Sequence, residues 1–171
     1  MGQRGRSLFG WYPPGVGRYP TPVPDILIAS DASWVWDEVG SVLAAPDTTV
    51  HAVPTGAQVR AAFLDVDPDL VILDQQIGSM GAFAICYDLR LEAGAGRAKP
   101  AKVLILLDRR ADVFLARRCI ADGWVMKPLD PIRLRRAVKA VLAGDTYQDA
   151  SYLPQPVLVA SPSDTLAANG K

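Results

Sequence analysis

A doubly wound α/β domain, with a five-stranded parallel sheet and helices on both of its faces, is the architecture this sequence predicts. Three observations point to it. Short apolar runs alternate five times with helix-length amphipathic stretches, a pattern that requires strands buried on both sides. Three charged residues, Asp31, Asp74 and Lys127, stand at the ends of such runs. The chain has 171 residues, 50% of them hydrophobic, enough for one compact domain of about 100–150 residues with tails.

Residues 1–24 are rich in Gly, Pro and aromatics and end in Tyr19-Pro20-Thr21-Pro22-Val23-Pro24, which disfavours regular hydrogen bonding and reads as a flexible arm. The first strand is expected at 26–29 and the first helix at 33–44, with Ser33 as its cap. A β-branched strand at 48–53 precedes a helix at 56–66, whose Val59, Ala62 and Phe63 share one face. The third strand, 69–73, runs into Asp74, and a loop with Gly78 and Gly81 leads to a helix at 82–92. Beyond the linker 93–101 come a strand at 103–107, a helix at 112–121 and a short strand at 124–126. The last helix, 131–143, has Pro131 in its first turn. The domain is therefore placed at 25–144, followed by a flexible tail at 145–171 with one β-like fragment at 157–160.

Composition removes several function classes. Lys and Arg number 18, as do Asp and Glu, so overall charge gives no reason to bind nucleic acid or an acidic membrane. His51 is the single histidine; it reads as an ordinary strand residue, and multi-histidine metal sites are impossible. Cys86 and Cys119 are far apart in sequence and read as reduced core thiols. No apolar run is long enough to span a bilayer and no signal peptide is evident, so no membrane association is expected and the cytoplasm is the expected location.

In an open parallel sheet the carboxyl ends of the strands share one edge, and ligands bind where the strand order reverses; in the common five-strand order 2-1-3-4-5 that point lies between strands one and three. Asp31 and Asp74 then become neighbours, and Lys127 reaches the same edge from strand five. Two nearby carboxylates repel unless a cation intervenes, and Mg²⁺ is the usual resolution.

The segments DILIASD, DLVILDQQIGSMGAF, KVLILLD and above all ADGWVMKPLDP resemble the response-regulator receiver family, CheY-like domains of flavodoxin-like fold, over 25–144. The resemblance implies that Asp74 is the phosphoacceptor, that Lys127 stabilises the phosphoryl group, and that Mg²⁺ is held by Asp31, Asp74 and the backbone carbonyl of Gln76. It also implies a cis peptide before Pro128. A sensor kinase or another phosphodonor protein would be the partner, and Asp74 the nucleophile towards its phosphoryl group.

Four positions depart from the family pattern. Ser30 stands where the first of two adjacent acids is usual, which weakens the metal site. Leu107 takes the place of the switching hydroxyl and cannot hydrogen-bond. Asp108 takes the place of a small residue and adds a third carboxylate. Like charges about 4 Å apart cost roughly 4 kcal/mol at an effective dielectric near 20, enough to depress phosphorylation about a thousandfold unless Asp108 pairs outward with Arg109 or Arg110. The loop after Asp74 carries Gly78, Ser79 and Gly81 in place of the usual proline, glycine and acid. Trp124 keeps the aromatic switch position.

Residues 26–92 hold ten acidic and two basic residues, and 97–139 hold twelve basic and four acidic. Arg117, Arg118, Arg133, Arg135, Arg136 and Lys139 on the last two helices are the expected face for an acidic protein partner or a homodimer. Nucleic acid is not an expected partner, for want of a recognisable reader motif. Phe9, Trp11, Tyr12 and Tyr19 suggest a docking motif in the arm. The chain is expected not to be an enzyme. Two uses compete: a stand-alone response regulator phosphorylated on Asp74, and a pseudo-receiver adaptor that binds an acidic partner without phosphorylation. A flavodoxin-like cofactor binder is the third reading, disfavoured because no phosphate cradle follows the first strand.

Overall fold

The computed structural model describes residues 23–44 and 48–153. The aromatic arm, apart from Val23 and Pro24, and the 157–160 fragment lie outside the described residues. The strands β1 (Asp25–Ala29), β2 (Thr49–Val53), β3 (Leu70–Asp74), β4 (Val103–Leu107) and β5 (Gly123–Met126) alternate with α1 (Ser33–Leu43), α2 (Val59–Val66), α3 (Ala82–Gly94), α4 (Val113–Arg118) and α5 (Pro131–Ala143). The predicted order 2-1-3-4-5 is present, extended by a sixth strand, β6 (Tyr147–Gln148), so that the sheet runs β2-β1-β3-β4-β5-β6. All neighbours pair in parallel.

Period-two alternation builds two cores from the same strands. Leu27, Val71, Leu73, Val103 and Ile105 face α2, α3 and α4, meeting Phe63, Ile85 and Leu89. Ile26, Ile28, Leu70, Ile72, Leu104 and Leu106 face α1 and α5, meeting Val35, Val39, Leu134 and Val138. Because β3 and β4 are buried along their whole length, they read as continuous apolar runs. Cys86 and Cys119, remote in sequence, meet in the first core as free thiols, with Cys86 Sγ 3.2 Å from the Cys119 carbonyl oxygen. The bond to Cys119 and burial push the Cys86 thiol far up, which makes it unreactive.

Local chemistry adjusts several boundaries. Ser33 is not the cap of α1: that position is Ala32, whose N–H donates instead to the Ser30 hydroxyl at 3.1 Å. The helix expected over 112–121 is only α4, preceded by a 3₁₀ turn at Arg110–Asp112, and its exit is set by Ile120 at φ 57°. Gly56 allows the β2–α2 turn to press on the β3–α3 loop, since a Cβ there would strike the Met80 carbonyl. Its N–H donates to the Gly78 carbonyl at 3.2 Å.

The larger correction concerns the carboxyl end, where the domain does not close at Gly144. After α5, whose Gly144 C-cap is left-handed (φ 91°), residues 145–153 return to the sheet. Tyr147 pairs with Gly123 and Gln148 with Trp124. The approach requires Gly123, where a Cβ would stand 2.8 Å from the Tyr147 carbonyl oxygen. Asp149, 3% exposed, then anchors the return: its carboxylate accepts from Met126 N (2.9 Å), Ser151 N (2.9 Å) and Arg133 Nη1 (2.7 Å). A two-residue strand carries too little hydrophobic pattern to be seen in sequence; backbone pairing and one buried charge define it.

Burial works against the Asp149 charge, but the Met126 and Ser151 donors and the Arg133 guanidinium outweigh it and hold the carboxyl below the usual carboxylate range. Asp149→Ala is expected to lower unfolding free energy by about 2 kcal/mol in urea at neutral pH. Because the folded-state pKa is depressed, this stabilisation is complete above the ordinary carboxylate pKa and is lost as pH falls through the folded value. The gap between wild type and Asp149→Asn should therefore close in acid; a gap that stays constant with pH would contradict the assignment.

Candidate functional site

The carboxyl edge of the sheet gathers the expected residues. Asp74 ends β3 and is 1% exposed, so both of its oxygens need partners from the protein. Oδ1 accepts from Lys127 Nζ at 2.6 Å and from Gln76 N at 3.1 Å, and Oδ2 accepts from the Ser30 hydroxyl at 2.7 Å. Lys127 leaves β5 through a cis peptide to Pro128, and its N–H donates to the Leu107 carbonyl at 2.8 Å. Its amine is only 10% exposed and also lies 3.3 Å from Asp108 Oδ1. Trp34, exposed at the start of α1, presents its ring to the same amine at 5.5 Å, a cation–π contact. Three elements, β3, the exit of β4 and α1, thus converge on one cation.

Asp31 lies on the same rim but does not share Asp74's partners. It is exposed, and its Oδ2 accepts from Gly78 N at 3.1 Å. Gln76 supplies Asp74 with its N–H; this is a different part from the carbonyl ligand that the resemblance implies. Receiver domains generally bind Mg²⁺ at the phosphorylation site. Here no group of three or more His, Cys, Asp or Glu side chains among the described residues is arranged to hold a metal ion. A serine hydroxyl sits on Asp74 Oδ2 and a backbone N–H on Asp31 Oδ2, so the rim offers a sparse set of free oxygens for a divalent cation.

Asp108 does not pair outward. Arg109 Nε instead bonds Asp112 Oδ2 at 2.9 Å, and Arg110 stacks over Tyr152 at 5.5 Å. Asp108 N donates to Gln75 Oε1 at 2.8 Å, and Gln75 Nε2 donates to Asp112 Oδ2. This chain of bonds fixes the β4 exit against the β3 exit. Leu107 is fully buried and offers no hydroxyl. Trp124 is 2% exposed, lies under the Arg117 guanidinium at 5.4 Å, and has Gln148 beside it in β6.

Of the six basic residues expected as a partner face on α4 and α5, five are exposed and Arg133 is half-buried. Arg133 is spent on Asp149, Asp130 and Ser151. Arg135 Nε donates to the Val42 carbonyl at 2.9 Å, and Arg117 leans on Trp124. Arg117 and Arg135 stay exposed despite these contacts, and Arg118, Arg136 and Lys139 are exposed as well. The return of residues 145–153 draws Arg133 inward, to Asp149 and Ser151, and could not be seen from helix positions alone. Sequence reasoning also missed Trp34, Gln75 and Asp149. Of these, Trp34 left a trace: a bulky aromatic in the first turn after a site carboxylate.

A buried carboxylate held by a lysine at the switch point of a parallel sheet is the arrangement that the receiver resemblance implied. Comparison with known proteins agrees with that resemblance. No protein-family model matches the chain. The DNA-binding response regulator MtrA of Mycobacterium tuberculosis is 27% identical over 147 residues, 85% of this chain and 63% of the relative. The nitrate/nitrite response regulator NarL of Escherichia coli is 30% identical over 118 residues, 68% of this chain and 52% of the relative. The signal receiver domain of a histidine kinase from Syntrophus aciditrophicus superposes with a TM-score of 0.62 at 24% identity, covering 81% of this chain and 99% of that one. The chain carries a receiver domain of the response-regulator family. It spans between half and two thirds of the length of these curated relatives. The name of MtrA includes DNA binding, which conflicts with the expectation that nucleic acid is an unlikely partner. No helix among the described residues is long and apolar enough to cross a membrane.

The two partners of Asp74 should differ in what their loss does. Lys127→Ala leaves a carboxylate buried without its cation and is expected to cost about 3–5 kcal/mol of stability. Ser30→Ala removes one hydrogen bond and is expected to cost about 1–3 kcal/mol. Chemical denaturation of both variants checks the order, and a Ser30→Ala loss equal to that of Lys127→Ala would show that the lysine is not the principal counter-charge.

Proposed function

We propose that this receiver domain acts in two-component-type signalling through protein contacts that do not depend on phosphorylation of Asp74, as an adaptor and not as an enzyme. The observation that carries the reading is the double engagement of Asp74, whose oxygens are taken by Ser30 and Lys127. A phosphoacceptor needs one oxygen free to attack and a cation to neutralise the incoming oxygens; Ser30 occupies the first and the donor set disfavours the second. The absence of a hydroxyl at Leu107 and the covered position of Trp124 add that a phosphoryl group would find no movable pair to drive.

Response regulators interact with sensor histidine kinases, and a kinase or another phosphodonor protein is the natural upstream partner. The downstream contact proposed is an acidic protein surface, met by Arg118, Arg136 and Lys139. Clustered charges of one sign steer encounter even where each pair is weak. A second reading, slow phosphorylation of Asp74, draws on the 2.6 Å contact to Lys127, the arrangement that would also stabilise a phosphoryl group.

Beryllofluoride with Mg²⁺ separates the two readings, with tryptophan emission as the signal. Wild-type protein is expected to give no saturable change at millimolar Mg²⁺, and Ser30→Asp to gain one that Asp74→Asn abolishes. A saturable wild-type response lost in Asp74→Asn would establish the second reading. Independently, charge reversal at Arg118 and Arg136 should weaken capture of an acidic partner roughly tenfold or more, whereas reversal at Lys99, which is tied to Asp67 at 2.7 Å on another face, should not.

A further inference from the structure

The anion side of the site deepens this reading and rests on it. Lys127 Nζ has Asp74 at 2.6 Å, Asp108 at 3.3 Å and the Trp34 ring at 5.5 Å. An oxyanion approaching Asp74 would have to share that amine, and the Asp108 carboxylate already stands there. Its position is not a favourable one in isolation. Asp108 Oδ2 is buried with no hydrogen-bond partner among the described residues, and a desolvated, unpaired carboxylate oxygen is costly. Asp74, carrying like charge, shares the same lysine. The carboxylate is kept in place from behind: Gln75 takes the Asp108 N–H, Asp112 takes the Gln75 amide, and Arg109 takes Asp112. With Arg109 and Arg110 both engaged elsewhere, nothing draws the side chain outward.

We infer that Asp108 is a built-in counter-anion, a side chain that fills the place of a bound oxyanion at Lys127, and that Gln75 is the positioning residue that keeps it there. The site is then an oxyanion pocket of the phosphate class whose ligand is part of the chain. Neutralising Asp108 removes a charge close to the entering group, and repulsion of the size expected between adjacent charges corresponds to a change in affinity of about a hundredfold or more.

The test uses the full chain without metal and titrates inorganic phosphate against chloride at constant ionic strength. Tryptophan emission gives one readout, since Trp34 lies on Lys127, and calorimetry a second. Wild type is expected to show no saturable binding at millimolar phosphate, while Asp108→Asn and Asp108→Ala bind it. Gln75→Ala, which frees the loop but keeps the charge, should gain a smaller affinity. The gain should vanish when Lys127→Met is added to Asp108→Asn.

Three results overturn the inference: no gain in either Asp108 variant, a gain that survives Lys127→Met, or loss of folding in both Asp108 variants, which would make the carboxylate a structural necessity. The outcome is separable from the preceding reading. A wild-type response to beryllofluoride with Mg²⁺ would defeat that reading, yet a metal-free gain of phosphate binding confined to Asp108 variants would still identify the internal anion.

Discussion

A carboxylate taken almost wholly out of water at the end of a central strand must be surrounded by donors, and this requirement organises the carboxyl edge of the sheet. Asp74 obtains its cation from the end of β5, its hydroxyl from the end of β1 and its amide from its own loop. Those partners lie 53 and 44 residues away, so the ion pair forms only once β1, β3 and β5 have taken their places. The cost of leaving either charge unpaired is several times that of a lost surface contact. Strand order and site chemistry are therefore not separate features of this molecule: each is stable only in the presence of the other.

The fold was legible because its strands are buried on both faces. β3 and β4 announce themselves as unbroken apolar runs, and their alternation with helices calls for a parallel sheet covered on both faces, for which 2-1-3-4-5 is one of the common orders. Asp74 and Lys127 could be placed because each directly follows such a run. What the sequence did not disclose depends on side-chain direction. Asp108 was identified as an extra carboxylate, but its choice of Lys127 over Arg109 and Arg110 is decided by Asp112 and Tyr152, which engage those arginines first. Asp31 was expected to join Asp74 on a metal and instead turns to the Gly78 N–H. β6 escaped because two residues cannot carry a periodic signal, and its anchor, Asp149, looks like any other acid in a polar stretch.

The division of charge along the chain also changes meaning in three dimensions. The basic residues of 97–139 do not form one open surface. Some close the molecule on itself: Arg133 holds Asp149 at 2.7 Å and Lys102 donates to the Leu142 carbonyl at 2.6 Å, as Arg90 of the first half does with Asp122 at 2.7 Å. Cationic side chains with long apolar stems suit this work, covering hydrophobic surface while their heads find carbonyls and carboxylates. Composition in the second half of the chain thus reflects both internal bracing and an outward face, and only the exposed remainder can meet another protein.

The short strand after α5 has an effect out of proportion to its length. Without it, β5 would be the outermost strand, presenting an unbroken row of backbone donors and acceptors to any extended peptide, its own kind included. With it, the outermost strand among the described residues is two residues long, and the Met126 N–H of β5 is taken by the buried Asp149 carboxylate. Among the described residues, an outer strand so brief offers little to template upon.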